Sequence, residues 1–327
     1  MKKKTAVILG ILALAVLCAV CLKPQNLEKK LKKLSRTLSS VQIEGNMELL
    51  NGDDLKSYAI TSLWQKQDGQ DLYKVSLTDK ALNQQQLIIK NEEGVFVITP
   101  SLNQVFQFRG EWPANTPKPY LIQSMLQLLE GEYELKKEKD GMILSAPAHY
   151  TSAENLVRQE IVWNKEGKPL QLTAYDEQNT PVLKMTFTDV RYNEPLDPKA
   201  FTIPDQQKTP VGSFDYEVEL PLYPMMVFDS RLSSSTVSSI NGEEQHILEF
   251  SGDHDFTIVQ SEKKINDQMT ITEVSGQMIE GMSLIGVYDG NRLAITNSQI
   301  ETSVYSQDLT PQQMMQVAES MQVAVMK

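Results

Sequence analysis

The sequence predicts a mainly β, α+β protein: a strongly curved antiparallel half-barrel covered by helices, followed by a small α+β domain. Three observations carry that expectation. Short runs of alternating apolar residues are punctuated by Asn51-Gly52, Asp68-Gly69, Glu93-Gly94, Asp140-Gly141 and Glu166-Gly167, the dipeptides of tight hairpins. A single strongly apolar helical stretch interrupts those runs, and it needs a sheet face to lie on. A polar, proline-containing stretch around residue 208 then divides the chain. The length of 327 residues suits this plan, and 41% hydrophobic residues are enough for a real core.

The elements follow in order. Residues 1–25 read as a membrane-attachment signal. Eighteen uncharged residues, 5–22, lie between Lys4 and Lys23, and at ~1.5 Å per residue they span a bilayer core. No A-x-A site stands immediately before Lys23, so an uncleaved signal anchor is one reading. The other is a lipoprotein signal, because Cys18 and Cys21 end the apolar run where a lipidated cysteine would stand. They follow Leu17 and Val20, however, rather than a small residue. Either way the chain is exported and held on the outer, extracytoplasmic face of a cell membrane.

Residues 26–207 form the expected half-barrel domain. It opens with an amphipathic helix in which Leu27, Leu31, Leu34 and Leu38 recur at helical spacing between Lys29, Lys30, Lys32, Lys33 and Arg36. Such a helix packs one face on its domain or lies on a membrane surface. In the strands that follow, Tyr58, Ile60 and Trp64 share one parity, as do Tyr73, Val75 and Leu77, Phe106 and Phe108, and Val157, Ile161 and Trp163. The mid-chain helix opens at Thr116-Pro117, carries Leu121, Ile122, Met125, Leu126 and Leu129, and ends at Gly131. Residues 197–204 read as the closing strand. In the second domain, 208–327, strands are expected at 244–250, 256–260, 269–274, 282–288, 293–295 and 300–305. A last helix is capped by Thr310 and Gln313, with Pro311 at its first position.

Composition and charge narrow the function. A pI near 4.9 and net charge of −11 argue against nucleic acid as a partner. The charge is unevenly divided: residues 1–40 hold nine Lys and Arg against one Glu, leaving a strongly acidic remainder. That basic segment suits anionic head groups, while the acidic remainder would stand off them. Residues 41–327 contain no cysteine, which removes disulfides, zinc thiolates and thiol nucleophiles from the folded part. Three histidines and no nucleophile elbow, zinc helix or phosphate loop leave catalysis unsupported. Asp253-His254-Asp255 reads as a solvated turn, because neighbouring side chains there diverge. Ser233-Ser234-Ser235 reads as a loop. No enzyme activity, metal or cofactor is implied.

What remains is apolar. Tyr58, Ile60, Trp64, Val97, Phe106, Phe108, Trp163 and Phe187 are the candidate wall of a hydrophobic cavity, and Ile122, Met125 and Leu129 its lid. The same residues could equally form a filled core. Fourteen methionines suit surfaces that accept varied apolar ligands.

The stretch Asn91-Glu-Glu-Gly-Val-Phe-Val-Ile-Thr-Pro-Ser-Leu-Asn-Gln-Val-Phe-Gln-Phe108 resembles a hairpin of the LolA-like superfamily, with Phe96 at the aromatic position and Pro100 and Gln104-Val105 at the turn. Asp197 to Pro204 is similar to that family's closing strand. The resemblance covers about residues 26–205. The ending from Leu309 to Met321 resembles the second domain of Gram-positive members, including sporulation and germination lipoproteins of the YdcC and GerS type. The two-domain plan is similar to the RseB/MucB sensors. The resemblance implies a half-barrel that binds lipid or lipoprotein acyl chains without catalysis. A tethered chain would be an acceptor or sensor rather than a shuttle. The alternative it implies is a regulatory module with a filled core, whose partner is an envelope protein such as a cortex enzyme.

Overall fold

The computed structural model describes residues 27–323, apart from 52–53, 82, 110–111, 113–117, 151–152, 154, 205–218, 241, 263–268 and 296–299. The apolar run 5–22, Cys18, Cys21, the helix opening at Thr116-Pro117 and the boundary at 208 lie outside the described residues. Among the described residues no helix is long and apolar enough to cross a membrane.

Helix α1 (Leu27–Thr37) leads into β1 (Ser40–Asn51), β2 (Asp54–Gln67), β3 (Gln70–Asp79), β4 (Gln84–Asn91), β5 (Gly94–Thr99) and β6 (Gln104–Phe108). Helix α2 (Ile122–Gln127) precedes β7 (Glu134–Glu138), β8 (Gly141–Pro147), β9 (Leu156–Asn164), β10 (Pro169–Asp176) and β11 (Pro181–Tyr192). These strands form one open, curved sheet. Strand β1 pairs with both β2 and β11, so the run β6 to β1 continues through β11 to β7. The chain leaves the sheet at β6 and re-enters at its far end, β7. Between those two ends in sequence, α2 lies over the inner face, where Ile122, Met125 and Leu126 join the sheet's core. The β7 edge, Glu-Leu-Lys-Lys-Glu, is charged and mostly exposed, a device that discourages further strand pairing.

Beyond residue 218 come β12 (Leu222–Pro224), β13 (Ser230–Ile240), β14 (Glu243–Gly252), β15 (Phe256–Glu262), β16 (Thr270–Val274), β17 (Gln277–Glu280), β18 (Ile285–Tyr288), β19 (Arg292–Ile295), β20 (Ile300–Ser306), helix α3 (Pro311–Glu319) and β21 (Met321–Val323). Seven of these strands make a second sheet in the order β13-β14-β15-β20-β19-β18-β17, while β12 pairs with β21. Helix α3 buries Met314, Met315, Val317 and Ala318 against Leu248, Ile258, Leu293 and Val304. Its start is the expected capping box: Gln313 N–H donates to Thr310 Oγ1, and Thr310 N–H donates to the Gln313 side chain.

Strand β16 does not join the second sheet. It runs parallel beside β6, from Thr270 opposite Gln104 to Val274 opposite Phe108, and becomes the edge of the first sheet.

Five local expectations are corrected. Residues 198–201 form a 3₁₀ turn rather than a strand: Pro198 opens it and Asp197 accepts from Lys199 N–H. The mid-chain helix begins only at Ile122, because Pro119 lacks a donor and disfavours helix at Lys118. Val157 faces solvent although Ile161 and Trp163 face inward. A bulge lets Tyr175 pair with Arg158 and Asp176 with Leu156, so Val157 is the extra residue and parity reverses there. Ser233-Ser234-Ser235 lies in strand β13, held by its ladder to β14 with little burial to announce it. Finally, the strand expected at 282–288 begins only at Ile285, as β18, and residues 281–284 form the turn that joins it to β17.

Candidate functional site

The inner face of the first sheet gathers the candidate residues. Tyr58, Ile60 and Trp64 come from β2, Val97 from β5, Phe108 from β6, Trp163 from β9 and Phe187 from β11. Ile122, Met125 and Leu129 reach them from α2 and the turn behind it, and all ten belong to one buried apolar cluster. Phe106 is half-buried and packs against that cluster. Leu31 of α1 is fully buried there, with Leu27, Leu34 and Leu38 beside it. The helix thus packs on its domain. The aromatic Phe96 of the hairpin points the other way, into an outer-face group with Leu87, Ile89, Ile98 and Val105 that Ile203 covers.

Polar groups at the interior are few. Trp64 Nε1 donates to Asp71 at 3.1 Å, and Tyr150 OH donates to Gln159 at 2.8 Å. Burial pushes the Tyr150 phenol well above its ordinary range. Trp163 is fully buried, and among the described residues its indole N–H meets no acceptor. Leaving a buried donor unmet costs about 1–3 kcal/mol. At the rim, Lys32 donates to Glu28 at 2.9 Å and to Tyr133 at 2.8 Å. The Lys32 bond first, and then a 3.0 Å bond that Tyr133 OH donates to Glu28, hold the Glu28 carboxyl below its ordinary value.

The second half of the chain closes the same interior. Ile285 of β18 is buried within the first sheet's cluster, and Val274, Met278, Met282 and Val287 pack against it. Around this contact lies a charged group that the sequence reading missed. Lys118 Nζ meets Glu280 at 3.2 Å with both side chains almost wholly buried, at 4% and 9% exposure. The Trp112 indole N–H also donates to Glu280, and the Trp112 ring meets Tyr73 edge-on at 5.6 Å. Glu319, at the end of α3, accepts from Ser283 N–H at 2.7 Å and Leu284 N–H at 3.0 Å. Its backbone carbonyl accepts from Lys56 of β2 at 3.2 Å. Burial, followed by the Glu280 and Glu319 carboxylates, holds the Tyr120 phenol protonated far above its ordinary range. A sequence signal existed. Lys118 is the lone charge between Trp112 and Leu129, and Glu280 the lone charge between Val274 and Tyr288.

The remaining candidates do not converge. Asp253, His254 and Asp255 form the bend before β15, where the His254 ring meets Phe228 edge-on and Ser230 Oγ donates to the His254 carbonyl. Among the described residues no group of three or more His, Cys, Asp and Glu is placed to hold a metal ion.

Comparison with known proteins extends the picture. Residues 78–204 match the sequence profile of the family described as "Outer membrane lipoprotein carrier protein LolA". The chain is 27% identical over 333 residues to the sporulation protein YdcC of Bacillus subtilis (strain 168), covering 96% of this chain and 95% of that protein. Among solved structures it is similar to a chain of the Pseudomonas aeruginosa MucA/MucB complex, at 12% identity and TM-score 0.34, covering 92% of this chain and 100% of that one. It is also similar to a chain of the CwlD amidase from Clostridioides difficile in complex with the GerS lipoprotein, at 16% identity and TM-score 0.29, covering 50% and 93%. Residues 78–204 thus resemble the LolA carrier family, and the chain is similar along nearly its whole length to a sporulation protein.

Proposed function

We propose that the chain is a non-enzymatic, membrane-attached protein of the cell envelope that binds lipid or lipoprotein acyl chains between the curved first sheet and its covering helices. One observation carries the reading: aromatic and aliphatic side chains from β2, β5, β6, β9, β11 and α2 converge on one inner face. Burial of an acyl chain there contributes about 0.8 kcal/mol per methylene, ample for micromolar affinity without polar chemistry. The unmet indole N–H of Trp163 is suited to an ester or amide carbonyl at the head of such a chain. The basic face of α1, with Lys29, Lys30, Lys33 and Arg36 exposed, faces anionic head groups on the extracytoplasmic side of the membrane. The sequence likeness to a sporulation protein supports a role in the envelope of a sporulating cell.

The test is native mass spectrometry of the exported protein, released without lipid-stripping detergent. A reproducible added mass matching a lipid or acylated peptide is the expected result. A clean unliganded mass, unchanged after incubation with phosphatidylglycerol vesicles and a palmitoylated peptide, overturns the reading.

A second reading, a protein-interaction module with a filled core, is favoured by β13. This edge strand leaves Leu232, Val237 and Ile240 exposed, Val237 at 60%. An exposed edge of that kind accepts an added strand. An envelope partner that still cross-links to β13 in a chain unable to bind lipid would favour it.

A further inference from the structure

We propose that residues 270–288 are a clasp over the apolar interior: β16 occupies the edge of the first sheet, the β17–β18 hairpin fills its mouth, and an acyl chain enters by displacing the hairpin. This rests on the reading of that interior as an acyl-chain site.

Three features of the segment point to a clasp rather than to ordinary core. First, β16 is lightly held. It contributes five residue pairs at the sheet edge, the sole parallel pairing in a sheet otherwise antiparallel among the described residues. Thr270, Ile271, Thr272 and Glu273 are exposed, and the Arg109–Glu273 ion pair beside them, at 3.3 Å, is open to water. Such a pair adds little. Second, the hairpin strands have four residues each, and β17 is itself the edge of the second sheet. The hairpin is tied to the second sheet by three β18–β19 residue pairs and the buried Ile279, so residues 277–288 part from the first sheet either with that ladder or by releasing those few contacts. Short edge units of this kind are those that open locally below the cost of global unfolding. Third, the side chains the hairpin places against the interior include Met278 and Met282, whose flexible thioethers make contacts that another apolar group can replace.

The charges explain how the closed state is kept single yet reversible. Lys118 and Glu280 lose water when the mouth closes, and their attraction roughly offsets that loss. On opening, both regain hydration together, so separation costs less than parting an apolar seal of the same size. A misplaced hairpin, by contrast, leaves an unpaired buried charge. Glu319 adds a second point of attachment at Ser283 and Leu284. Gly281 lets it approach: a Cβ there would lie 2.3 Å from Glu319 Oε1. The clasp is thus registered at Glu280 by the first half of the chain and at Glu319 by α3.

The test uses amide hydrogen exchange on the full-length protein, with uptake of phosphatidylglycerol from vesicles measured alongside. In Glu280→Gln the Lys118 charge is left without its counter-charge. Exchange across 277–288 should then quicken roughly tenfold or more, while 84–99 and 243–262 keep their wild-type rates. In the double variant K118M/E280M no charge is buried and only the neutral Trp112 N–H loses its acceptor, so exchange across 277–288 should fall back from the E280Q rate towards the wild-type rate. Uptake should be faster in E280Q than in wild type, with K118M/E280M between them. Unchanged exchange in E280Q, or quickening spread evenly over all three regions, overturns the clasp. Selective quickening with uptake equal in all three proteins overturns its control of access. Selective quickening with no uptake in any of them leaves the clasp standing and overturns the acyl-chain reading instead.

Discussion

Trp163 shows how one side chain can separate the two readings of the interior. Its parity with Ile161 placed it on the inner face from the sequence, and the structure buries it completely. The isolation of its N–H could not be read there, because the absence of an acceptor depends on side chains from many strands. Replacement by Phe removes a donor whose burial costs about 1–3 kcal/mol and leaves a small void that offsets part of the gain. Trp163→Phe should therefore leave the unfolding free energy of the ligand-free protein, read from urea titration, within about 1 kcal/mol of wild type. Binding of an ester lipid should weaken several-fold. A large loss of stability would place a hidden partner at the indole and remove its proposed role. Gly141 carries a related lesson. The sequence marks it as a hairpin residue, but a Cβ there would lie 1.8 Å from the Trp163 carbonyl, so close strand approach is its real constraint. Lys118 and Glu280 were missed because each stands alone in an apolar stretch, and only the fold makes them a pair.

Among the elements, α1 and α3 were the most legible. Their apolar spacing and, for α3, the capping residues are local signals that tertiary packing reinforces. The hairpins of the first sheet were equally plain, since alternation and turn dipeptides agree. Strand β13 was not, because neither of its faces is consistently buried and no period-two pattern marks it. Helix α2 is shorter than its apolar run, which continues as a turn through Leu129. The exposed lysines of α1 make a prediction of their own. Replacing Lys29, Lys30 and Lys33 with Gln should weaken binding to phosphatidylglycerol vesicles by about 1 kcal/mol per lysine, with little change on neutral phosphatidylcholine. Added salt should erase much of the difference. Equal binding of both proteins to anionic vesicles would show that α1 serves the domain alone.

On the scale of the whole molecule, strand content and the two helical covers were readable, whereas the joining of the two halves was not. Residues 269–274 looked like a strand, and β16 is one; nothing local says that its neighbour is β6 rather than a strand of its own half. Because Ile285 enters the first sheet's core and β16 completes its edge, the two sheets should lose structure together. Scanning calorimetry should show one cooperative transition, and two well-separated transitions would mean that the junction contributes little. The same arrangement constrains how the molecule is made. Arg109 and Glu273 meet across 164 residues of sequence, so a chain delivered from its N-terminus builds most of the first sheet long before the strand that borders β6 emerges. During that interval the β6 edge is uncovered and the interior lacks its Ile285 contact. The nascent protein is then most exposed to wrong strand pairing, and this is also the stage at which an apolar guest could be taken in before the molecule closes over it.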